Sequence, residues 1–576
     1  MFIGISAYNH ESAVALVDSK GTLVDYYREE SLSRIKGDKS FPLRAMKRII
    51  FRHDLKLNTI NSVAFYEKPL SAFLHPIKVA SNYVPSSIDF LVHQFRNFNK
   101  SSIACYLDIS KVLPGIENKL IYLDHHLAHT LTALAYSDIH QNICSVVIDG
   151  FGDRSTSSIS YVEDCFNIKE LWSCEYPSSL GLFYSAITDY LGFTVNEGEY
   201  KVMGLAAFGS TNNPYAKLMD DLIYWDEMEK QIKLKLEYFD FYKSVRRSYS
   251  DKLVCLLGEA RDPFSKLMPG DCGFQKYADI ARATQDLVVN LLIKIFKHAH
   301  QVTQSRNFLF SGGVALNTAA LPYIARLSFI DKIIIPPSPG DAGAAIGAAY
   351  FAYLQSNLSA KTIIKPSLYP SNYSVVDQEV QLSKILNEKF EFLSRQPEES
   401  LLIAAELISN GQIVGTIVSN NETGPRSLGN RSILCNGKNR EVVNTLNTVI
   451  KNRSPFRPTA PAMTLQTAKK YYLIDDALIE SYFSMSATCF CKPESNALNF
   501  PVTHVDGSAR IQIVQPNTLL SDLLQELEPI GIDILANSSL NISGDPTCFD
   551  LIDGIMVSSL TPLNYLLTDL GILKKK

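Results

Sequence analysis

The chain has 576 residues, 46 % hydrophobic and 20 % charged, with a formal net charge of -4. That length exceeds one ordinary core and predicts a globular protein of two to four domains. The small net charge excludes a whole-molecule field of the kind that attracts nucleic acid or anionic membrane.

The ten cysteines include no CxxC pair. They are read as reduced core thiols, Cys489 and Cys491 sharing one face of a strand. Glu11 stands where a secretory leader would be apolar, and no run of about 18 uncharged apolar residues occurs. The expectation is a cytoplasmic protein without a membrane partner.

Taken in chain order, residues 2–8 read as a strand, Tyr8 to Ser12 as a polar turn, Ala13 to Val17 as a second strand and DSKG as a turn into a third. In HHLAH, His125 and His129 stand four apart and share one face of a helix, able to bind one metal ion. SVVIDG then reads as a buried strand ending at Asp149, FGDRS as a turn, and TSSISYVED as the returning strand. Two such strand-turn-strand units, each opening a half-domain, are the layout of the actin and sugar-kinase-like (ASKHA) nucleotide-binding fold. Its two turns hold phosphate with backbone N–H groups.

Residues 277–300 have helical apolar spacing. They are followed by the strand NFLFSGG, a helix at VALNTAALPYIA, the strand KIIIPPSP and the glycine loop GDAGAAIG opening a helix. Asp341 lies in that loop. Two histidines with Asp149 and Asp341 suit Fe(II), Mn(II) or Zn(II), although an HxxxH alone is equally a hydrogen-bonded helix face. SGGVALN and GDAGAAIG together point to adenosine contact; each alone also fits close packing of helix on strand.

The pattern weakens around residues 355–378, so the expected division is 1–358, a linker at 359–378, and a second α/β domain at 379–576. The second domain opens with the helix SLLIAAELISNG, stopped by Gly411, and the strand QIVGTIV. Between Arg426 and Arg457 lie Arg431, Lys438, Arg440, Lys451 and Arg453, against Glu441 alone. Rigid Gly, Pro and Phe neighbours favour an anion clamp over a solvated face, and the shortage of aromatics disfavours RNA. Arg510, with Asn537, Ser538 and Ser539 at a strand end, can complete a clamp for a compact phosphate dianion.

With these segments in order, the chain resembles the O-carbamoyltransferases that decorate antibiotics and nodulation factors. EESLSRIKGD, HHLAH, VVIDGFGD, EYKVMGLAAFG, SGGVALN, PGDAGAAIGAA, GPRSLGNRSI, KNRSPFRPTAP, HVDGSARIQ and NSSLN carry the resemblance over nearly the whole length. It implies an ASKHA-type two-lobed N-terminal domain like the tRNA threonylcarbamoyltransferase, followed by a YrdC-like α/β C-terminal domain. The implied chemistry forms carbamoyl-adenylate from carbamoyl phosphate and ATP with Mg, then transfers the carbamoyl group to a hydroxyl of a small molecule, natural product or glycan.

The resemblance also implies site roles. His125, His129, Asp149 and Asp341 would hold the metal, typically iron acting as a Lewis acid. Arg426, Lys451, Arg457, Arg510, Asn537 and Ser538 would hold carbamoyl phosphate. His10 would be the catalytic base, and Lys36, Lys201, Gly312, Gly313 and Asn317 would contact nucleotide. Partners would be the substrates alone, with no nucleic acid, in a monomer or homodimer.

The chain departs from the pattern at Glu11 (Asp), Gly37 (His), Ser427 (Ala), NSSLN (NTSFN) and GDP (GEP), leaving acceptor handling and nucleotide grip open. Competing readings are a fused tRNA threonylcarbamoyl-adenylate system, a hydrogenase-maturation carbamoyltransferase, disfavoured by the missing CxxC pairs, and a non-catalytic nucleotide sensor of sugar-kinase type.

Overall fold

The computed structural model describes residues 1–356, 363–372, 379–418, 420–454 and 456–576. It divides into two compact units, Met1–Ser33 with Gly37–Pro366, and Arg34–Lys36 with Ser367–Lys576.

The first unit contains the same sheet twice. Strands β1 (Phe2–Ser6), β2 (Ala13–Val17) and β3 (Leu23–Arg28) form an antiparallel meander, which β4 (Ser62–Phe65) and β5 (Leu120–Tyr122) extend in parallel beyond β1. In the second copy, β6 (Ile143–Gly152), β7 (Ser155–Val162) and β8 (Ile168–Glu175) form the meander. Strands β9 (Asn307–Ser311) and β10 (Lys332–Ile334) extend it in parallel beyond β6. The order 3-2-1-4-5 recurs in both sheets, each opened by one of the two expected strand-turn-strand units. All five residues of β1 and of β2 are buried, which is why they read as continuous apolar runs.

Three helices of this unit matter for the site. Helix α1 (Pro69–Ser81) follows β4, α2 (His125–Ala135) follows β5, and α4 (Asp341–Gln355) follows β10; a long α3 (Phe274–Thr303) precedes β9. The small residues of α4 are explained by packing. A Cβ on Gly347 would lie 1.9 Å from the Ala128 carbonyl oxygen of α2, and one on Gly4 in β1 would lie 2.0 Å from the Ala345 oxygen of α4. Thr132 of α2 cements the crossing, its hydroxyl donating to Gly343 O at 2.9 Å and accepting the Gly347 N–H at 3.1 Å. The expected helix over VALNTAALPYIA is instead two short 3-10 turns, Gly313–Leu316 and Thr318–Ala320, and one helical turn, Leu321–Ala325. Asn317 interrupts it with a non-helical backbone (φ -77°, ψ 73°).

The second unit is built on an eight-stranded sheet of β11 (Phe390–Ser394), β12 (Val414–Ile417), β13 (Ser432–Asn436), β14 (Ala460–Met463), β15 (Gln512–Ile513), β16 (Leu535–Ser539), β17 (Tyr565–Thr568) and β18 (Gly571–Lys575). Their spatial order is β11-β18-β17-β12-β13-β16-β14-β15. Helices α5 (Pro397–Ser409) and α6 (Leu519–Leu527) cover a core of Ala404, Ile408, Leu434, Leu520, Leu524 and Leu535.

Within the expected linker, Ile364 N–H donates to Gly21 O in the first unit, while Ser371 and Asn372 pair with Asn421 and Asn420 in the second. Residues 359–362 and 373–378 of that linker lie outside the described residues. The cysteines are all free, but not all core: Cys255 and Cys272 are exposed. Among the described residues, no helix is long and apolar enough to cross a membrane.

Candidate metal centre and anion site

Three elements of the first unit deliver His125, His129, Asp149 and Asp341 to one point. Both histidines sit on α2, one turn apart and fully buried. Asp149 lies where the pairing of β6 with β7 breaks between Ile148 and Gly152. Its Oδ1 accepts the Gly150 N–H at 2.6 Å. Asp341 opens α4, so the close α2–α4 crossing brings its carboxylate to the histidines.

One ligand atom from each residue falls within a 4.8 Å cluster. His129 Nε2 lies 3.1 Å from both His125 Nε2 and Asp149 Oδ2, and both imidazole Nε2 atoms lie 3.6 Å from Asp341 Oδ1. Ligands about 2.1 Å from a shared tetrahedral ion stand about 3.4 Å apart, so the spacing fits a single ion. Among the described residues, Oδ2 of Asp149 is buried without a well-formed hydrogen bond, an orphan that a cation would satisfy. The donor set, two imidazoles and two carboxylates, also fits Fe(II), Mn(II) or Zn(II).

The electrostatics agree with that preference. Burial pushes the His125 imidazole down, but the carboxylates of Asp149, Asp341 and Glu67 override it and hold its pKa at about 10. His129 is raised in the same way, against its burial, by Asp149 and Asp341. Burial alone would raise Asp149, yet the two imidazoles hold it well below the usual carboxylate range. The pocket therefore demands positive charge, which protons or a metal ion can supply.

Two supporting carboxylates were not singled out from sequence. Asp153 accepts the backbone N–H of His125 at 2.9 Å and of Lys68 at 2.8 Å, pinning the starts of α2 and α1 together. Glu67 is fully buried, accepts from Asn9 Nδ2 at 2.7 Å, and lies 3.9 Å from His125 Nδ1. Burial raises its pKa to about 7 despite that imidazole. Asp153 stands in a visible motif, GFGDRS, but there it reads only as a turn residue. Glu67 has no local signal at all.

His10 is half-buried, with Nε2 2.9 Å from the carbonyl oxygen of Asn196. A carbonyl only accepts, so Nε2 carries the hydrogen and Nδ1 is the acceptor of the neutral ring. Burial lowers its pKa, but Glu11, Asp341, the hydrogen bond to Asn196 O and Asp149 together raise it.

The second unit gathers cations instead. Burial lowers Arg510 well below its usual pKa, reinforced by Arg426, Arg453 and Arg457, and its Nε is buried without a partner among the described residues. Lys451, 3 % exposed, is likewise lowered by burial, then by Arg453 and Arg457. Its ammonium donates to Ser539 O at 2.7 Å, to Asn541 O at 2.6 Å and to Asn541 Oδ1.

Ser538 Oγ accepts from Arg453 Nη2 at 2.6 Å. Asn537 Nδ2 donates to Ser427 O at 3.0 Å and Gln512 Oε1 at 2.7 Å, leaving its Oδ1 buried and without a partner among the described residues. Burial first, and then the neighbouring guanidinium groups, thus depress Arg510 and Lys451, the signature of a site that favours an anion.

The rest of the basic run does other things. Arg431 is 1 % exposed and donates to the carbonyls of Val418, Asn430 and Phe549. Lys438 pairs with Asp533, and Arg440 donates to Asn499 O at 2.8 Å. Arg453, not among the expected clamp residues, lies in the same cationic cluster, beside Ser538, Lys451 and Arg510.

Four of the five expected nucleotide contacts, Lys201, Gly312, Gly313 and Asn317, lie in the first unit and Lys36 in the second. A Cβ on Gly312, whose φ is +88°, would lie 2.3 Å from Ile148 O, and one on Gly313 would lie 3.0 Å from Asp149 Oδ1. Both glycines thus allow the chain after β9 to pass β6 beside the cluster. Asn317 exchanges hydrogen bonds with Gln285 at 2.8 and 3.1 Å, and Lys201 lies over the Phe193 ring at 5.5 Å.

Residues 1–350 match the family model for the carbamoyltransferase N-terminus, and residues 405–575 that for the carbamoyltransferase C-terminus. The chain is 28 % identical over 611 residues to an uncharacterized protein of Synechocystis sp., covering 100 % of this chain and 96 % of that one. It is 26 % identical over 578 residues to nodulation protein NolNO of Sinorhizobium fredii, covering 99 % and 80 %. It is 26 % identical over 355 residues to the 3'-hydroxymethylcephem-O-carbamoyltransferase of Amycolatopsis lactamdurans, covering 60 % and 59 %.

Proposed function

Because the chain belongs to the carbamoyltransferase family, we propose that it is an ATP-dependent O-carbamoyltransferase working in two steps. Carbamoyl phosphate and ATP, with Mg, yield carbamoyl-adenylate; the carbamoyl group then passes to a hydroxyl of a small molecule, natural product or glycan. The observation that carries this reading is the presence, in one chain, of two sites with opposite charge preference. The first unit holds a His/Asp cluster that demands a cation, and the second a five-cation cluster that demands an anion. A phosphate-bearing donor suits the second unit, which the fold expectation makes YrdC-like, and the named O-carbamoyltransferase relative supports a hydroxyl acceptor.

In the second unit, Arg426, Lys451, Arg453, Arg457 and Arg510 neutralise the donor phosphate, while Asn537 and Ser538 at the end of β16 orient it. Water takes up the phosphoryl group as inorganic phosphate and leaves carbamate, whose oxygen attacks the α-phosphorus of ATP and expels pyrophosphate. In the first unit, His125, His129, Asp149 and Asp341 would hold a divalent metal, Fe(II) being expected and Mn or Zn the alternatives. When bound, that metal supplies Lewis acidity toward a carbonyl oxygen. Nδ1 of His10 takes the proton of the acceptor hydroxyl as its oxygen attacks the carbamoyl carbon and AMP leaves. Lys201, Gly312, Gly313, Asn317 and Lys36 are the proposed nucleotide contacts.

The test is stoichiometric. Purified protein with labelled carbamoyl phosphate, ATP and a panel of hydroxylated acceptors should form one AMP and one pyrophosphate per carbamoyl ester. Ester formation at full rate without ATP would contradict the two-step reading.

A further inference from the structure

Two buried amides of the second unit lock each other in one orientation. Asn537 of β16 is paired with Ala460 of β14, and Gln512 of β15 with Ala462. Paired residues, and residues two apart along a strand, share a face of the sheet, so all four side chains lie on one side. The two alanines between them are small enough for the amides to meet across β14, where Asn537 Nδ2 donates to Gln512 Oε1 at 2.7 Å.

Each amide is also anchored from outside the pair. Asn537 Nδ2 donates to Ser427 O at 3.0 Å, and Gln512 Nε2 donates to Leu428 O at 2.8 Å. A backbone carbonyl only accepts, so neither amide can turn over without setting oxygen against oxygen. Both side chains are 3 % exposed, which leaves no water to compensate such a flip.

The consequence lies in the atom left over. An amide nitrogen carries two hydrogens, and both of those on Asn537 are in use. Its Oδ1 is buried without a partner among the described residues, and so is Nε of Arg510, so that guanidinium nitrogen does not occupy it. The pair is tied into the cationic cluster along three segments. Ser427 follows Arg426, Gln512 stands two residues after Arg510, and Ser538, next in β16, accepts from Arg453 Nη2 at 2.6 Å.

In carbamoyl phosphate the phosphate and carbonyl oxygens only accept, and the amino group alone donates. A locked acceptor has nothing to offer a phosphate oxygen. We propose that Asn537 Oδ1 reads the amino group of the donor, and that Gln512 is the positioning residue that holds it as an acceptor. The assignment rests on the carbamoyl phosphate reading and makes that site selective. A donor of the same shape with methyl in place of amino would leave the oxygen buried and unpaired.

Phosphonoacetamide and acetonylphosphonate test this on the full-length protein without ATP. They share the phosphonate and the carbonyl and differ only in amino against methyl. Calorimetric titration should show phosphonoacetamide binding at least tenfold tighter. Asn537→Ala should bring the two affinities within about threefold of each other. Gln512→Leu, which keeps the volume and releases one hydrogen of Asn537, should lower the preference at least threefold, and it decides the matter if Asn537→Ala does not fold. A clamp that is merely loosened loses affinity for both ligands and keeps their ratio. Equal affinities in the wild type, or an unchanged ratio in either folded variant, would overturn the assignment and leave the phosphate-donor reading standing. If neither analogue nor inorganic phosphate binds, the donor reading itself fails and the assignment falls with it.

Discussion

At Gly152, a Cβ would sit 2.3 Å from Cδ2 of the His125 ring. That ring has no room to yield because it is 0 % exposed. Gly152→Ala should therefore displace the imidazole and lower metal affinity nearly as much as His125→Ala, by tenfold or more, which metal titration of the folded variant would read. Unchanged affinity would show that His125 is not a ligand. The histidine pair was legible because a four-residue spacing fixes two side chains on one helix face. The glycine's reason was not, since it lies in a ring 27 positions away in sequence. Glu67 and Asp153 were hidden in the same way, by being tertiary neighbours of α2. In the cationic cluster, Arg457→Ala should reduce kcat/KM for carbamoyl phosphate by about 2–3 kcal/mol, as expected for one lost charge-assisted contact. Transfer from preformed carbamoyl-adenylate should be spared, and an equal loss in both assays would point to one shared site.

Elements carry their own tests. Gly347→Ala gains up to about 1 kcal/mol of helix propensity in α4. Against this, the new methyl would meet a backbone carbonyl of α2 at 1.9 Å, which cannot rotate away as a side chain can. Overpacking wins, and a net loss of about 2 kcal/mol should appear as a lower Tm. In the sequence, GDAGAAIG was equally a ligand loop and a packing helix. The contacts of Gly343 and Gly347 show packing, while Asp341 at its start joins the His/Asp cluster.

The turn at HVDGS has a pH signature. Asp506 is exposed at the surface; partial desolvation raises it, but His504 and the Ser508 N–H and hydroxyl outweigh that and bring its pKa to about 2, an effect that solvent screening reduces in stability terms. A depressed carboxylate stabilises the fold above its unfolded pKa of 3.8, and that contribution is lost as pH falls from there toward 2. Asp506→Asn should be less stable by about 1 kcal/mol at pH 6 and show a flatter acid unfolding profile between pH 4 and 2.

At the scale of the molecule, the two strand-turn-strand units that open the doubled sheets were legible because each turn is written locally in Asn, Asp, Ser and Gly, whereas the 3-2-1-4-5 order was not. The strand order of the second unit was not legible. Its β16 pairs with β13 and β14, roughly 100 and 75 positions away, a pairing that no local pattern records. The two sites fall in different units, and the proposed function stands on that division of labour. Its most direct test is His125→Ala assayed for both half-reactions on one preparation. The variant should lose bound metal and carbamoyl transfer while still releasing pyrophosphate from ATP and carbamoyl phosphate at close to the wild-type rate. A folded, metal-free His125→Ala protein that transfers carbamoyl at the normal rate would contradict the account.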